Sequence, residues 1–267
     1  MVESAEGARS GCGTGHPPRT GSWADDSNAE TSAPQRDRHG SVIVSSYYTP
    51  VFPTHPSPAV DRTGRRQTVW VETGSNERTR RVAPVLLAAG GGTRWDGAGH
   101  KLAAPLEGTP VIEHAMRAAV ESGLGTVIVV TGATTVHLPD DLAGRIELVD
   151  NPDWAEGQST SLLRAVAAAA ERGADAVVVG LGDQPCISPD AWRAVAASSS
   201  SLAVAVYGES RGHPVLIGRD HWNDLPNSGD LGARELLRRF DEQVEAIPCE
   251  GSALDVDTTE DLNQWQS

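Results

Sequence analysis

From Val82 onward, short apolar runs bounded by Gly or Pro alternate with longer segments whose apolar residues recur every three or four positions. That alternation predicts βα units. Strands are expected at Pro84–Ala89, Thr126–Thr131, Ile146–Val149, Asp175–Leu181, Leu202–Tyr207, His213–Ile217 and Gln243–Pro248, and helices at Pro110–Ser122, Ser159–Arg172, Pro189–Ala197, Leu231–Phe240 and Thr258–Trp265. The runs Val85–Ala89 and Ala176–Val179 are continuously apolar, as strands covered on both faces must be. The expected fold class is therefore α/β, a three-layer α/β/α sandwich around a mostly parallel, Rossmann-like sheet. Ligands of such sheets bind beyond the C-terminal strand ends, so the residues just after each apolar run are the candidates for chemistry.

Composition divides the chain. Residues 1–81 are poor in aliphatic side chains and rich in Gly, Pro, Ser, Thr and Arg, with 10 basic against 9 acidic residues. Such a stretch buries too little apolar surface to offset its ordering entropy, so a disordered leader is expected there. Its β-like patch, Ser41–Tyr48, reads as isolated, and its Arg-containing sequence fits either a docking segment or a misassigned start codon. Residues 82–267 carry 12 basic against 27 acidic side chains, a formal charge of −15, and form the expected catalytic domain. An acidic domain repels nucleic acid and anionic membrane, so neither is an expected partner. Cys12, Cys186 and Cys249 are widely spaced and suggest neither a disulfide framework nor a zinc site. With no apolar run long enough to span a bilayer and no signal-peptide pattern, a cytoplasmic location is expected.

The first strand leads into Leu87-Ala88-Ala89-Gly90-Gly91-Gly92-Thr93-Arg94, followed by Lys101. Glycines let backbone N–H groups approach a phosphate closely, and Arg94 and Lys101 add positive charge. Lys101 is the only lysine among the 22 Lys and Arg residues of the chain. The spacing fits neither the Walker loop nor the dinucleotide fingerprint. The fourth strand ends in Gly182-Asp183-Gln184-Pro185, where Asp183 reads either as a turn residue or as an oxygen ligand for Mg²⁺. In Asp255-Val256-Asp257-Thr258 one residue reads as a helix cap, leaving a second carboxylate for metal. Ser159 opens a helix as a cap or an anion donor. His213 and Asp230 each precede an element and read first as structural.

In this order, the Leu-Ala-Ala-Gly loop with Arg94 and Lys101, Asn151-Pro152-Asp153-Trp154 to Gly157, Gly182-Asp183-Gln184-Pro185, Gly212-His213-Pro214, Gly229-Asp230 to Arg234, and Asp255-Val256-Asp257-Thr258 resemble the molybdenum cofactor cytidylyltransferases, within the MobA-like group of NTP transferases. The resemblance implies a fold of the nucleotide-diphospho-sugar transferase type. It also implies transfer of CMP from CTP to the terminal phosphate of molybdopterin, with release of pyrophosphate. On the same basis residues 87–94 would cradle the triphosphate, Arg94 and Lys101 would neutralise the leaving phosphates, and Asp183 with Asp255 or Asp257 would hold Mg²⁺. His213 and Asp230 would face the acceptor, Ser159 and Gln184 would also bind substrate, and a recipient molybdoenzyme would be a transient partner.

Three departures stand out. Trp95–His100 lengthens the path from Arg94 to Lys101, Gln158 stands where the family commonly has Met, and Thr259 replaces a usual Pro. The alternatives are a guanylyltransferase on the same cofactor, a CTP-dependent transferase with another phosphorylated acceptor, or a non-catalytic cofactor-binding module. Ala89 and Gln184 favour CTP by resemblance. Retention of Arg94, Lys101, Asp183, Asp255 and Asp257 together argues against a pure binding module.

Overall fold

A computed structural model describes residues 80–264 and the short antiparallel pair Ala59–Val60 and Arg66–Gln67. That pair belongs to a separate unit, residues 25–79. The rest of the expected leader, including the patch at 41–48, lies outside the described residues. Arg80 and Arg81 already belong to the domain. The Arg80 guanidinium donates to Ser200 O at 2.7 Å, and Arg81 O accepts from Asp175 N at 2.8 Å.

Seven strands make the central sheet: β1 (Val82–Leu87), β2 (Val127–Thr131), β3 (Ile146–Asp150), β4 (Ala176–Leu181), β5 (Leu202–Tyr207), β6 (Ser210–Gly218) and β7 (Val244–Pro248). Their spatial order is β7-β5-β6-β4-β1-β2-β3. All pairings are parallel except those of β6, which runs antiparallel to β4 and β5. The helices are α1 (Val111–Glu121), α2 (Gln158–Glu171), α3 (Pro189–Ala196), α4 (Ala233–Arg239) and α5 (Thr259–Gln264).

The three layers follow from side-chain alternation on β1. Leu86 points into a core shared with Met116 of α1 and Trp192 of α3, whereas Val85 and Leu87 point into a second core with Leu162 of α2 and Leu236 of α4. Burial of each such side chain contributes about 1.5–3 kcal/mol. Trp192 lies so close over β4 that a Cβ on Gly180 would stand 2.5 Å from its ring, which fixes a glycine near the C-terminal end of a central strand. A smaller cluster of Ala104, Leu106, Val111, Val256 and Leu262, with Trp95 packed against it, ties α5 to the start of α1.

Several boundaries differ from expectation. β1 ends at Leu87, so Ala88 and Ala89 leave the sheet and border the cleft. β6 begins at Ser210, earlier than the expected His213, because Ser210–Gly212 pair back onto β5 before a register shift between Gly212 and Val215. Residues 132–145, where no helix was expected, hold a single short turn of helix at Asp140–Leu142. Pro105–Leu106 and Thr109–Pro110 form a small hairpin whose turn residues, Glu107 and Gly108, both have positive φ, as a mirror-image turn requires. Trp265 lies outside the described residues. Cys249 is a free thiol. Among the described residues no helix is long and apolar enough to cross a membrane.

Candidate active site

A cleft of about 680 Å³ opens at the C-terminal ends of the parallel strands. Its floor is the β1 exit, Leu87 through Arg94. The loop is pinned to β2 by Ala88 N donating to Val130 O at 2.8 Å and Ala133 N donating to Ala89 O at 3.0 Å. Its glycines have different causes. Gly92 has φ +59°, which favours glycine. Gly91 lies under Trp154, whose ring would stand 2.9 Å from an added Cβ. A Cβ on Gly90 meets no protein atom within 4 Å, so packing does not account for that glycine.

His100 closes the loop. Its Nδ1 accepts from Leu102 N at 3.3 Å, which leaves the proton on Nε2, and Nε2–H donates to Gly90 O at 3.0 Å. The segment from Trp95 to His100 therefore folds back onto the loop it follows. Trp95 packs against the α5 cluster, and Asp96 Oδ1 accepts from Thr259 N at 3.0 Å at the α5 N-terminus. That hydrogen bond holds the Asp96 carboxyl below its usual pKa range.

Lys101 is 8% exposed and its ammonium donates to Asp183 Oδ2 at 2.5 Å and to Asp257 Oδ1 at 2.8 Å. Burial alone would lower its pKa, but the charges and hydrogen bonds of Asp183 and Asp257 hold it above the ordinary lysine value. Asp257 Oδ2 also meets Arg94 at 2.7 Å, a pair whose arginine side is 75% exposed and therefore contributes little to stability. Asp183 O accepts from Val256 N at 2.9 Å, so the two carboxylate segments are joined through backbone.

The C-terminal acidic segment resolves into distinct roles. Thr258 is the cap, its Oγ1 accepting from Asp261 N at 3.2 Å, while Asp261 Oδ2 accepts from Thr258 N at 2.8 Å and from Asp257 N at 3.1 Å. Asp257 is thereby freed to face Lys101. Asp255 Oδ1 accepts from the Gln184 amide at 2.7 Å. Burial, followed by the nearby charge of Asp183, pushes its pKa up to about 7. The Gln184 amide nitrogen also donates to Ala253 O at 2.8 Å, and its buried Oε1 has no hydrogen-bond partner.

At the other end of the cleft stand Gly212, His213, Asp230 and Arg234. Burial and then the charge of Arg234 lower the His213 pKa to about 4, so the imidazole is neutral at physiological pH. Tyr207 donates its hydroxyl to His213 O at 2.8 Å. Between the ends, Asn151 is fully buried. Its amide donates to Thr160 and Ser161 at 2.9 Å each, and its Oδ1 accepts from Asp153 N at 3.1 Å, so it fixes the turn that carries Trp154.

Every candidate from the sequence borders this cleft except Ser159. Ser159 is 1% exposed, and its N–H donates to Gly229 O at 3.0 Å. Gln158 and Ser161 line the cleft in its stead. Sequence reasoning missed Trp154 and Arg234 as cleft residues, and His100 as the residue that braces the loop at Gly90. Trp154 and Arg234 stood inside motifs already singled out, whereas nothing in the sequence pointed to His100.

The sequence pattern described as MobA-like NTP transferase domain matches residues 84–245. Purine catabolism protein PucB of Bacillus subtilis is 31% identical over 194 residues, covering 67% of this chain and 93% of PucB. Bifunctional protein GlmU of Roseobacter denitrificans is 32% identical over 145 residues, covering 52% of this chain and 31% of GlmU. The chain thus spans about a third of that GlmU's length. Among solved structures, Rv0371c from Mycobacterium tuberculosis H37Rv superposes with a TM-score of 0.59 at 26% identity, covering 71% of this chain and 100% of that one. A structure of Rv0371c in complex with manganese superposes at 0.55 and 25% identity, covering 69% of this chain and 97% of that one. With that match running from β1 into β7, and with PucB covered almost end to end, the chain belongs to the MobA-like NTP transferase domain family.

Proposed function

We propose that the protein is a nucleotidyltransferase that moves CMP from CTP onto the terminal phosphate of a molybdopterin-type acceptor and releases pyrophosphate. The observation that carries the transferase reading is the convergence, in one cleft, of a glycine loop, the chain's single lysine and two carboxylates that share its ammonium. Family membership supports a nucleoside triphosphate as donor. The choice of CTP rests on Ala89 and Gln184 by resemblance, and the pterin acceptor, the contact with a recipient molybdoenzyme and the cytoplasmic location rest on that resemblance and on the sequence reading.

A divalent cation fits the residues present. Asp183 and Asp257 each place an oxygen within reach of one ammonium, and Asp255 stands beside them, held by Gln184. Among the described residues no three His, Cys, Asp or Glu side chains are gathered to hold a metal on their own. Mg²⁺ needs no such cage, because it keeps water and takes phosphate oxygens along with one or two carboxylates. Asp183 and Asp257, with Asp255 adjacent, would hold it. When bound it would neutralise the charge that develops on the phosphate oxygens.

The protein's own part is positioning and charge. The glycine loop receives the triphosphate, and Arg94 and Lys101 offset the charge on the β- and γ-phosphates. An acceptor phosphate oxygen forms a bond to the α-phosphorus while the α–β bridging bond breaks and the electron pair leaves with pyrophosphate. The nucleophile is already anionic, so no general base is required, and His213, neutral at physiological pH, acts on the acceptor side by hydrogen bonding.

Pyrophosphate release by the full chain with Mg²⁺ and molybdopterin, compared across CTP, GTP, ATP and UTP, tests this. Release with CTP alone is expected. Release with GTP alone would move the protein to guanylyl transfer, and silence with all four would contradict the reading.

A further inference from the structure

We propose that the indole of Trp154 is the wall on which the nucleobase of the donor stacks, an inference that rests on the nucleotidyltransferase reading and adds a base-binding residue to it. Trp154 keeps 36% of its surface exposed, whereas Trp192 in the core keeps 1%. Its exposed part borders the cleft, and among the lining residues it is the only Phe, Tyr or Trp. The protein has also shaped itself around this ring. A Cβ on Gly91 would stand 2.9 Å from Cζ3 of Trp154, and a Cβ on Gly132 would stand 2.7 Å from its Cβ. Two glycines from two different strand exits are thus needed to seat one partly exposed indole.

The position along the loop decides which part of a nucleotide meets the ring. Arg94, at one end of the glycine loop, pairs with Asp257 beside Lys101, so the polyphosphate belongs at that end. Trp154 touches Gly91, nearer the β1 exit, where Ala88, Ala89 and Gly90 offer no charge. A nucleotide with its phosphates toward Arg94 places its base at the uncharged end, against the indole. A flat apolar face suits a base of any kind, since every base has a π-face. The turn holding the ring is rigid, because the fully buried Asn151 ties it to the first turn of α2.

Calorimetric titration of the full chain with CTP, GTP and inorganic tripolyphosphate, each with Mg²⁺, tests the assignment. For the better-bound nucleotide, Trp154→Ala is expected to weaken binding roughly 10- to 100-fold, the loss of one base–aromatic stack, and to leave tripolyphosphate within about twofold. Trp154→Phe should restore most of the nucleotide affinity. Unchanged nucleotide binding in Trp154→Ala overturns the inference, and so does equal weakening of nucleotide and tripolyphosphate, which is what a mere brace for the loop produces. Should Trp154→Ala fail to fold, Trp154→Leu keeps apolar bulk over Gly91 and Gly132 without the flat ring and carries the same comparison. A wild-type chain that binds tripolyphosphate but no nucleotide would instead contradict the nucleotidyltransferase reading beneath it.

Discussion

The Lys101 ammonium stands 2.5 Å from Oδ2 of Asp183, a residue that follows β4 on the far side of β1's strand exit, and it is shared with Asp257 at 2.8 Å. One cation therefore holds together a carboxylate that follows β4 and one that precedes α5. With side chains only 10–18% exposed, these are buried pairs, and removing one partner leaves charge without compensation. Lys101→Met is expected to cost roughly 3–5 kcal/mol in metal-free protein, the range for breaking a buried ion pair. Urea unfolding with and without Mg²⁺ checks this, and the variant should recover more stability from Mg²⁺ than the wild type does, because the cation replaces the missing ammonium.

Asp255 predicts a pH dependence. Its pKa rises from 3.8 to about 7 on folding, owing to burial and then to the charge of Asp183. Between those values the folded state holds a proton that the unfolded state has released, so this group's contribution to stability falls as pH climbs through that window. In EDTA, the wild type should lose stability between about pH 4 and 7 relative to Asp255→Asn, which carries no such proton. Parallel profiles for the two proteins would remove Asp255 as the cause.

His100 ties Gly90 O to Leu102 N through its two ring nitrogens. His100→Ala should cost about 1–2 kcal/mol, the net worth of two hydrogen bonds at a partly exposed site. Because Gly90 is on the cleft floor, the KM for the nucleotide should rise with kcat less affected. Steady-state kinetics that show kcat falling with KM unchanged would place His100 in the chemical step, contrary to this account.

The sheet was readable because its central strands are continuously apolar and its turns are marked by Gly and Pro. Where pairing depends on tertiary context, the reading slipped. Ser210–Gly212 look like loop, yet they extend β6 by pairing with β5. Asp183 was legible since it follows an apolar run, and the other charged site residues because they stand in the motifs that carry the resemblance. Ser159 failed on helical phase: Gln158 and Ser161, three apart, share the face toward the cleft, and Ser159 between them is buried, its N–H donating to Gly229 O. His100 and Trp154 escaped because their importance lies in what they touch. A histidine after Gly99 becomes meaningful only when its ring reaches Gly90, and a tryptophan after Asp153 only when Gly91 and Gly132 are seen beneath it.

The central claim, that Asp183 and Lys101 mark a site of nucleotidyl transfer, is tested most directly by Asp183→Asn. This variant keeps shape and volume while removing the charge that faces Lys101 and a divalent cation. Pyrophosphate release with CTP, Mg²⁺ and molybdopterin should fall at least about 100-fold, the scale for losing one preorganised electrostatic contact, while circular dichroism stays that of the wild type. Turnover at the wild-type rate would contradict the account.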